Sequence, residues 1–212
     1  MIHDHTSEQC QSRWIRLGAG RHNGAYYYSK EITENIIPRI NTDRNWVTIN
    51  NPGCCWDHSV VFIHNNQMPG LYEWLKDYKD LILVCGVPET CDKVKNLGHA
   101  VYLPLSVDTE YVQSFGDEKT KDTAYAGRPD KKTINLPEGI DYLQNLPRPL
   151  LLKEMAKYRR IYAVGRTAIE AKILGCEILP YDPRYPDPER WQILDNAEAA
   201  EQLQKILDKI DK

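Results

Sequence analysis

The sequence predicts an α/β fold with parallel sheets, and two observations carry that prediction. Short apolar runs of strand length alternate along the chain with segments of helical periodicity, and glycine-bearing turns stand where strands pass into helices. Parallel strands need a long crossover, usually a helix, to bring the chain back, so this alternation favours helix-covered parallel sheets over hairpins.

In chain order, Trp14 to Leu17 reads as a strand that enters a glycine turn. A helix from about Ala25 to Ile40 follows, because Tyr28, Ile32, Ile36 and Ile40 recur every fourth residue. Strands are expected at Trp46 to Ile49, Val60 to Ile63, Leu81 to Cys85 and Ala100 to Leu103, with a short helix at Leu71 to Tyr78. The second half repeats the pattern, with strands at Thr123 to Ala126, Ile161 to Val164 and Glu177 to Pro180 and helices near Leu150 to Tyr158 and Ala168 to Leu174. A last helix, about Ala197 to Ile210, gathers Leu203, Ile206, Leu207 and Ile210 on one stripe and must pack against something. Gly116 to Asp122 is charged and poor in apolar residues, so it divides the chain into lobes of residues 1–115 and 123–212.

Composition excludes several classes. No stretch approaches the roughly 18 uninterrupted apolar residues of a membrane span, and the polar start from Met1 to Arg13 lacks a secretory pattern. A cytoplasmic protein with reduced thiols is the expectation. A net charge of −3 argues against a nucleic-acid footprint. The six cysteines form no CxxC pair and no ligand spacing, and His3, Asp4 and His5 read as a polar terminus, so no metal site is expected. Whether two chains assemble is left open.

Four segments can carry chemistry. Gly18 and Gly20 open a GxGxxxG turn through Gly24, where backbone N–H groups at a helix start attract anions. A tight turn without a ligand explains it equally well, and a dinucleotide site is disfavoured, since the spacing departs from GxGxxG and Asn50 and Asn51 stand where a ribose carboxylate belongs. His64 ends an apolar strand, where a general base can work in open α/β sheets; a locally bonded histidine is the plainer reading. In Tyr162-Ala163-Val164-Gly165-Arg166-Thr167-Ala168-Ile169-Glu170-Ala171, a strand ends and a helix begins. Gly165, Arg166 and Thr167 can face a diphosphate and Glu170 can accept from ribose hydroxyls, although Thr167 and Glu170 also match a capping box. Arg128, with Lys131 and Lys132, follows a strand and suits a leaving diphosphate. The Lys153 to Arg160 run reads as an exposed helix face.

Taken together, these segments resemble nucleotide-sugar glycosyltransferases of the GT-B fold, the retaining family with two facing Rossmann-like domains. Pro104-Leu105-Ser106-Val107-Asp108-Thr109-Glu110-Tyr111 is similar to its interdomain Pro-Asn-Gly-Val-Asp segment, and Tyr125-Ala126-Gly127-Arg128-Pro129 to its Val-Gly-Arg strand. Glu170-Ala171 with Gly175 is similar to the Glu-Ala-x-x-x-Gly signature of its donor helix. The resemblance, spanning about Trp14 to Asp182, implies an acceptor-side lobe, a donor-binding lobe and metal-independent transfer of a sugar from a nucleoside diphosphate held between them. Glu170 would hold the ribose, Gly165, Arg166 and Thr167 the diphosphate, and Arg128 with Lys132 the departing nucleotide; His64 sits like a histidine of the acceptor domain. Tyr162 stands where the family carries a first glutamate. A non-catalytic nucleotide or nucleotide-sugar binding module is the alternative.

Overall fold

A computed structural model describes residues 2–3, 24–48, 56–63, 73, 75–127, 136–179 and 192–212. The chain is α/β with parallel sheets and divides into two compact units, Met1–Ser106 with Leu194–Lys212, and Val107–Ile193. The strand expected at 14–17 lies outside the described residues, as do residues 71, 72 and 74 of the helix expected at 71–78.

The first unit holds a five-stranded parallel sheet in the order β1 (Ile2–His3), β2 (Asn45–Val47), β3 (Ser59–Ile63), β4 (Leu81–Cys85), β5 (His99–Tyr102). Helix α1 (Gly24–Glu31) continues through a π-helical stretch, Ile32–Ile36, and a 3-10 turn at Ile37–Arg39. Pro38 lacks the N–H an α-helix would need there, which accounts for the helix ending by Arg39. Side chains alternate across the strands. Trp46, Val60, Phe62, Ile82 and Val84 meet Tyr28, Ile32 and Ile36 on one face, and Val47, Val61, Ile63, Leu81, Leu83 and Cys85 meet Val94 of α2 (Pro88–Val94) on the other. Burial of each such side chain contributes about 1.5–3 kcal/mol. Strands buried on both faces read as continuous apolar runs, which is why β3 and β4 were visible in the sequence.

The chain passes to the second unit at β6 (Ser106–Val107), not at residues 116–122 as expected. Helix α3 (Thr109–Gln113) comes next, and Lys121 and Asp122 already belong to a strand. The charges of the supposed linker do structural work. Lys119 Nζ donates to the last carbonyls of two helices, Ala156 O at 2.8 Å and Leu174 O at 2.7 Å. A cation suits both helix ends.

The sheet of the second unit is also parallel, in the order β10 (Glu177–Leu179), β9 (Tyr158–Tyr162), β7 (Lys121–Ala126), β8 (Asp141–Leu143). Ala124, Ala126, Ile161 and Ile178 pack against α4 (Arg148–Met155) and α5 (Arg166–Ile173), while Tyr125 and Leu136 form a smaller cluster with Ile140, Tyr162 and Val164. The basic run from Lys153 to Arg160 is not one helix face: α4 ends at Met155, and Tyr158 is buried in β9.

The last helix, α6 (Asn196–Ile210), follows β11 (Leu194–Asp195), which pairs with β6. Its start carries a capping box, Asp195 with Glu198. Its stripe packs in the first unit: Leu203 and Leu207 join Ile32, Ile36 and Trp46, and Asn196 Nδ2 donates to Glu31 Oε2 at 3.0 Å. The sequence-based division had placed this helix with the second half; its apolar stripe asked for a partner and could not say which. No helix among the described residues is long and apolar enough to cross a membrane.

Candidate functional site

In a parallel sheet the C-terminal edge is where loops and helix N-termini gather and where ligands sit. Strand β9 leaves that edge at Tyr162 and turns into α5 through Ala163, Val164 and Gly165. Gly165 is the N-cap at φ 59° and ψ −139°, a conformation that side chains resist. A Cβ built on Gly165 would meet nothing within 4 Å, so the glycine is required by its backbone and not by crowding.

The capping-box alternative for Thr167 and Glu170 is not realised, because the N-cap is Gly165 and no side chain caps the helix. Glu170 instead sits 3% exposed and holds an ion-pair cluster. Arg166 Nε donates to Glu170 Oε1 at 2.8 Å, and Arg148 Nε, from the first turn of α4, donates to the same oxygen at 3.0 Å. Among the described residues no donor reaches Oε2. The Arg148 guanidinium also lies over the ring of Tyr111, 5.2 Å from its centroid.

Tyr111 belongs to α3, whose N-cap Asp108 accepts from Tyr111 N at 2.9 Å. The segment singled out at 104–111 therefore reaches Glu170 through named contacts: Asp108 fixes the turn, Tyr111 steadies Arg148, and Arg148 holds the carboxylate. Gly175 has an equally concrete role. At φ 76° it ends α5 in a Schellman motif, with Gly175 N donating to Lys172 O at 2.9 Å and Cys176 N to Ala171 O at 3.0 Å.

Of the residues chosen from sequence, Gly165, Arg166, Thr167 and Glu170 are thus brought together at the start of α5. Gly18, Gly20, His64, Arg128 and Lys132 lie outside the described residues. Arg166 is 8% exposed and its Nε faces back along the helix to Glu170, where the sequence reading had aimed it at a diphosphate. Arg148 was missed. It stands 22 residues before Glu170, a separation with no periodicity; the only signal was an arginine beside Pro149 at a helix start. Among the described residues no group of three or more His, Cys, Asp and Glu side chains is arranged to hold a metal ion.

A second charged cluster lies at the opposite, N-terminal edge of the first unit's sheet. Arg44 precedes β2, His58 precedes β3 and Asp80 precedes β4. Arg44, its side chain 3% exposed, donates from Nη2 to Asp211 Oδ1 at 2.6 Å and to Asp80 Oδ1 at 3.0 Å, and from Nη1 to Asp80 O. As an imidazolium, His58 donates from Nδ1 to Asp80 Oδ2 at 2.5 Å and from Nε2 to Asp43 Oδ1 at 3.1 Å. Those bonds, first Asp80 and then Asp43, raise the His58 pKa, and His58 in turn lowers those of Asp43 and Asp80. His58 and Asp80 both adopt positive φ, 55° and 52°, a conformation the network must hold.

Comparison of the chain with protein-family models, with curated proteins and with solved structures finds no match.

Proposed function

We propose that the chain binds a nucleoside-diphosphate sugar at the C-terminal edge of the second unit's sheet and transfers the sugar to an acceptor without a metal ion. The observation that carries the reading is the β9–Gly165–α5 turn followed, one helical turn on, by a buried carboxylate with an oxygen to offer. The backbone from Gly165 to Thr167 takes the diphosphate, where the first N–H groups of a helix have no acceptor within it. Glu170 accepts from the ribose. Arg128 and Lys132 compensate the charge that grows on the departing diphosphate, and His64 serves the acceptor. Rate then comes from orientation and from fixed cations, in keeping with the resemblance to GT-B glycosyltransferases.

Titration calorimetry with UDP-, GDP- and ADP-sugars tests this. One of the panel binds the wild-type chain, and Glu170→Gln weakens it about tenfold or more, the worth of a hydrogen bond to a charged group. Failure of every donor to bind removes the reading. Glutamine is preferred to alanine because it retains an acceptor for the two arginines.

One observation favours the alternative of a binding module without catalysis: Tyr162 occupies the place of the first glutamate in the family it resembles, so a sugar-facing carboxylate is missing there. Donor turnover that disappears in His64→Ala while binding persists supports the enzyme, whereas binding with no turnover in the wild type supports the module.

A further inference from the structure

From the sequence, Glu170 is expected to accept from ribose hydroxyls. The geometry points to something narrower. We infer that Arg148, together with Arg166, pins Oε1 of Glu170 so that the carboxylate presents Oε2 alone, and that the site therefore reads a single ribose hydroxyl, with Arg148 as its positioning residue. The inference rests on the donor-binding reading and makes it more specific.

Both arginines donate through Nε to one oxygen, at 2.8 and 3.0 Å, while no donor among the described residues reaches the other. Two donors on one oxygen of a carboxylate fix its position and limit rotation about the last side-chain bond. Arg166 alone cannot do this as well, because it shares α5 with Glu170 and moves with it. Arg148 comes from a different helix, so it ties the carboxylate to α4 and sets its place in the unit. The side chains of the trio are 4–11% exposed, so the ion pairs that hold Oε1 are largely shielded from bulk water. Tyr111, stacked on Arg148 and 37% exposed, is the outer end of the same relay.

A carboxylate held this way accepts one strong hydrogen bond in a fixed direction. It should distinguish hydroxyls that a freely rotating carboxylate would treat alike. Lysine at position 148 can supply charge but not the planar, directed Nε–H, so it keeps the attraction and loses the aim.

The test uses the full chain, with UDP, GDP and ADP as probes, and then the 2′-deoxy and 3′-deoxy forms of whichever binds. In the wild type, one of the two deletions weakens binding about tenfold or more and the other less than about threefold. In Arg148→Lys the two deoxy forms come within about threefold of each other, while circular dichroism shows the fold retained. Tyr111→Leu, at the exposed end of the relay, narrows the ratio partially and serves if Arg148→Lys fails to fold. A general loss of stability would weaken all probes together and leave their ratio alone. Equal losses for both deletions in the wild type overturn the single-hydroxyl inference and leave ribose binding standing. An unchanged ratio in both variants overturns the role of Arg148. Absence of binding by every diphosphate overturns this inference and the donor reading together.

Discussion

The two charged clusters are near mirror images in stoichiometry. At the N-terminal edge of the first sheet, one guanidinium, Arg44, is shared by two carboxylates, Asp80 and Asp211. At the C-terminal edge of the second, one carboxylate, Glu170, is shared by two guanidinium groups, Arg148 and Arg166. Both central groups are buried, yet they differ in what is left over. Arg44 also reaches a backbone carbonyl and ties the start of β2 to the loop before β4 and to the end of α6, as a clamp does. Glu170 keeps an oxygen that no described residue uses. Burial with every direction satisfied marks a structural joint; burial with one direction open, at the edge where parallel sheets take ligands, marks a candidate site.

The sharpest way to break this contrast is to perturb each edge in turn. Arg44→Ala removes a buried guanidinium and its hydrogen bonds but leaves carboxylates that are 48% and 35% exposed and can be hydrated, so it should cost about 1–3 kcal/mol in denaturant unfolding, with Arg44→Lys recovering only part because it lacks the fork. A loss under 1 kcal/mol would show that the joint is dispensable. Gly165→Ala bears on the other edge: forcing a side chain to φ 59° should cost about 1–3 kcal/mol. No loss there would mean that the turn has no special geometry to offer a ligand. Tyr111→Leu removes the ring over Arg148 and should lower stability by about 0.5–1 kcal/mol, measured the same way.

The smallest effect concerns pH. His58 has a raised pKa, so its contribution is fully present below the unfolded value of about 6.5 and fades as pH rises through the higher folded value. Asp43 and Asp80 have lowered pKa values, and their contribution is present above about 3.9 and lost as pH falls through the folded values. The joint is therefore strongest in weak acid. Unfolding of the wild type and His58→Gln across pH 5 to 9 should show the wild-type advantage shrinking on the alkaline side; a difference independent of pH would remove His58 from the cluster as a charged member. His58 is substantially exposed, so the change is small.

Much of the architecture was legible because local pattern and burial coincide. Leu81–Cys85 is apolar at all five positions and all five are buried. The helix from Gly24 carries its core residues at Tyr28, Ile32 and Ile36, as periodicity required. Elements with thin signals were missed: Pro88–Val94 buries only Thr90 and Val94, and Asp141–Leu143 is three residues with one buried. Lys119 looked like linker and is a helix-end donor, since a solvated lysine and a capping lysine have the same sequence.

By itself, then, the sequence determined the alternation of strands and helices, the apolar faces, and the glycine turn ahead of Glu170, because periodicity and φ preference act over a few residues. Only the tertiary structure decided that α6 packs with α1, that Arg44 gathers Asp80 and Asp211, and that Arg148 meets Glu170. Those contacts join residues 22 to 167 positions apart. Their partners are selected by which helix lies beside which strand, and no local pattern encodes that.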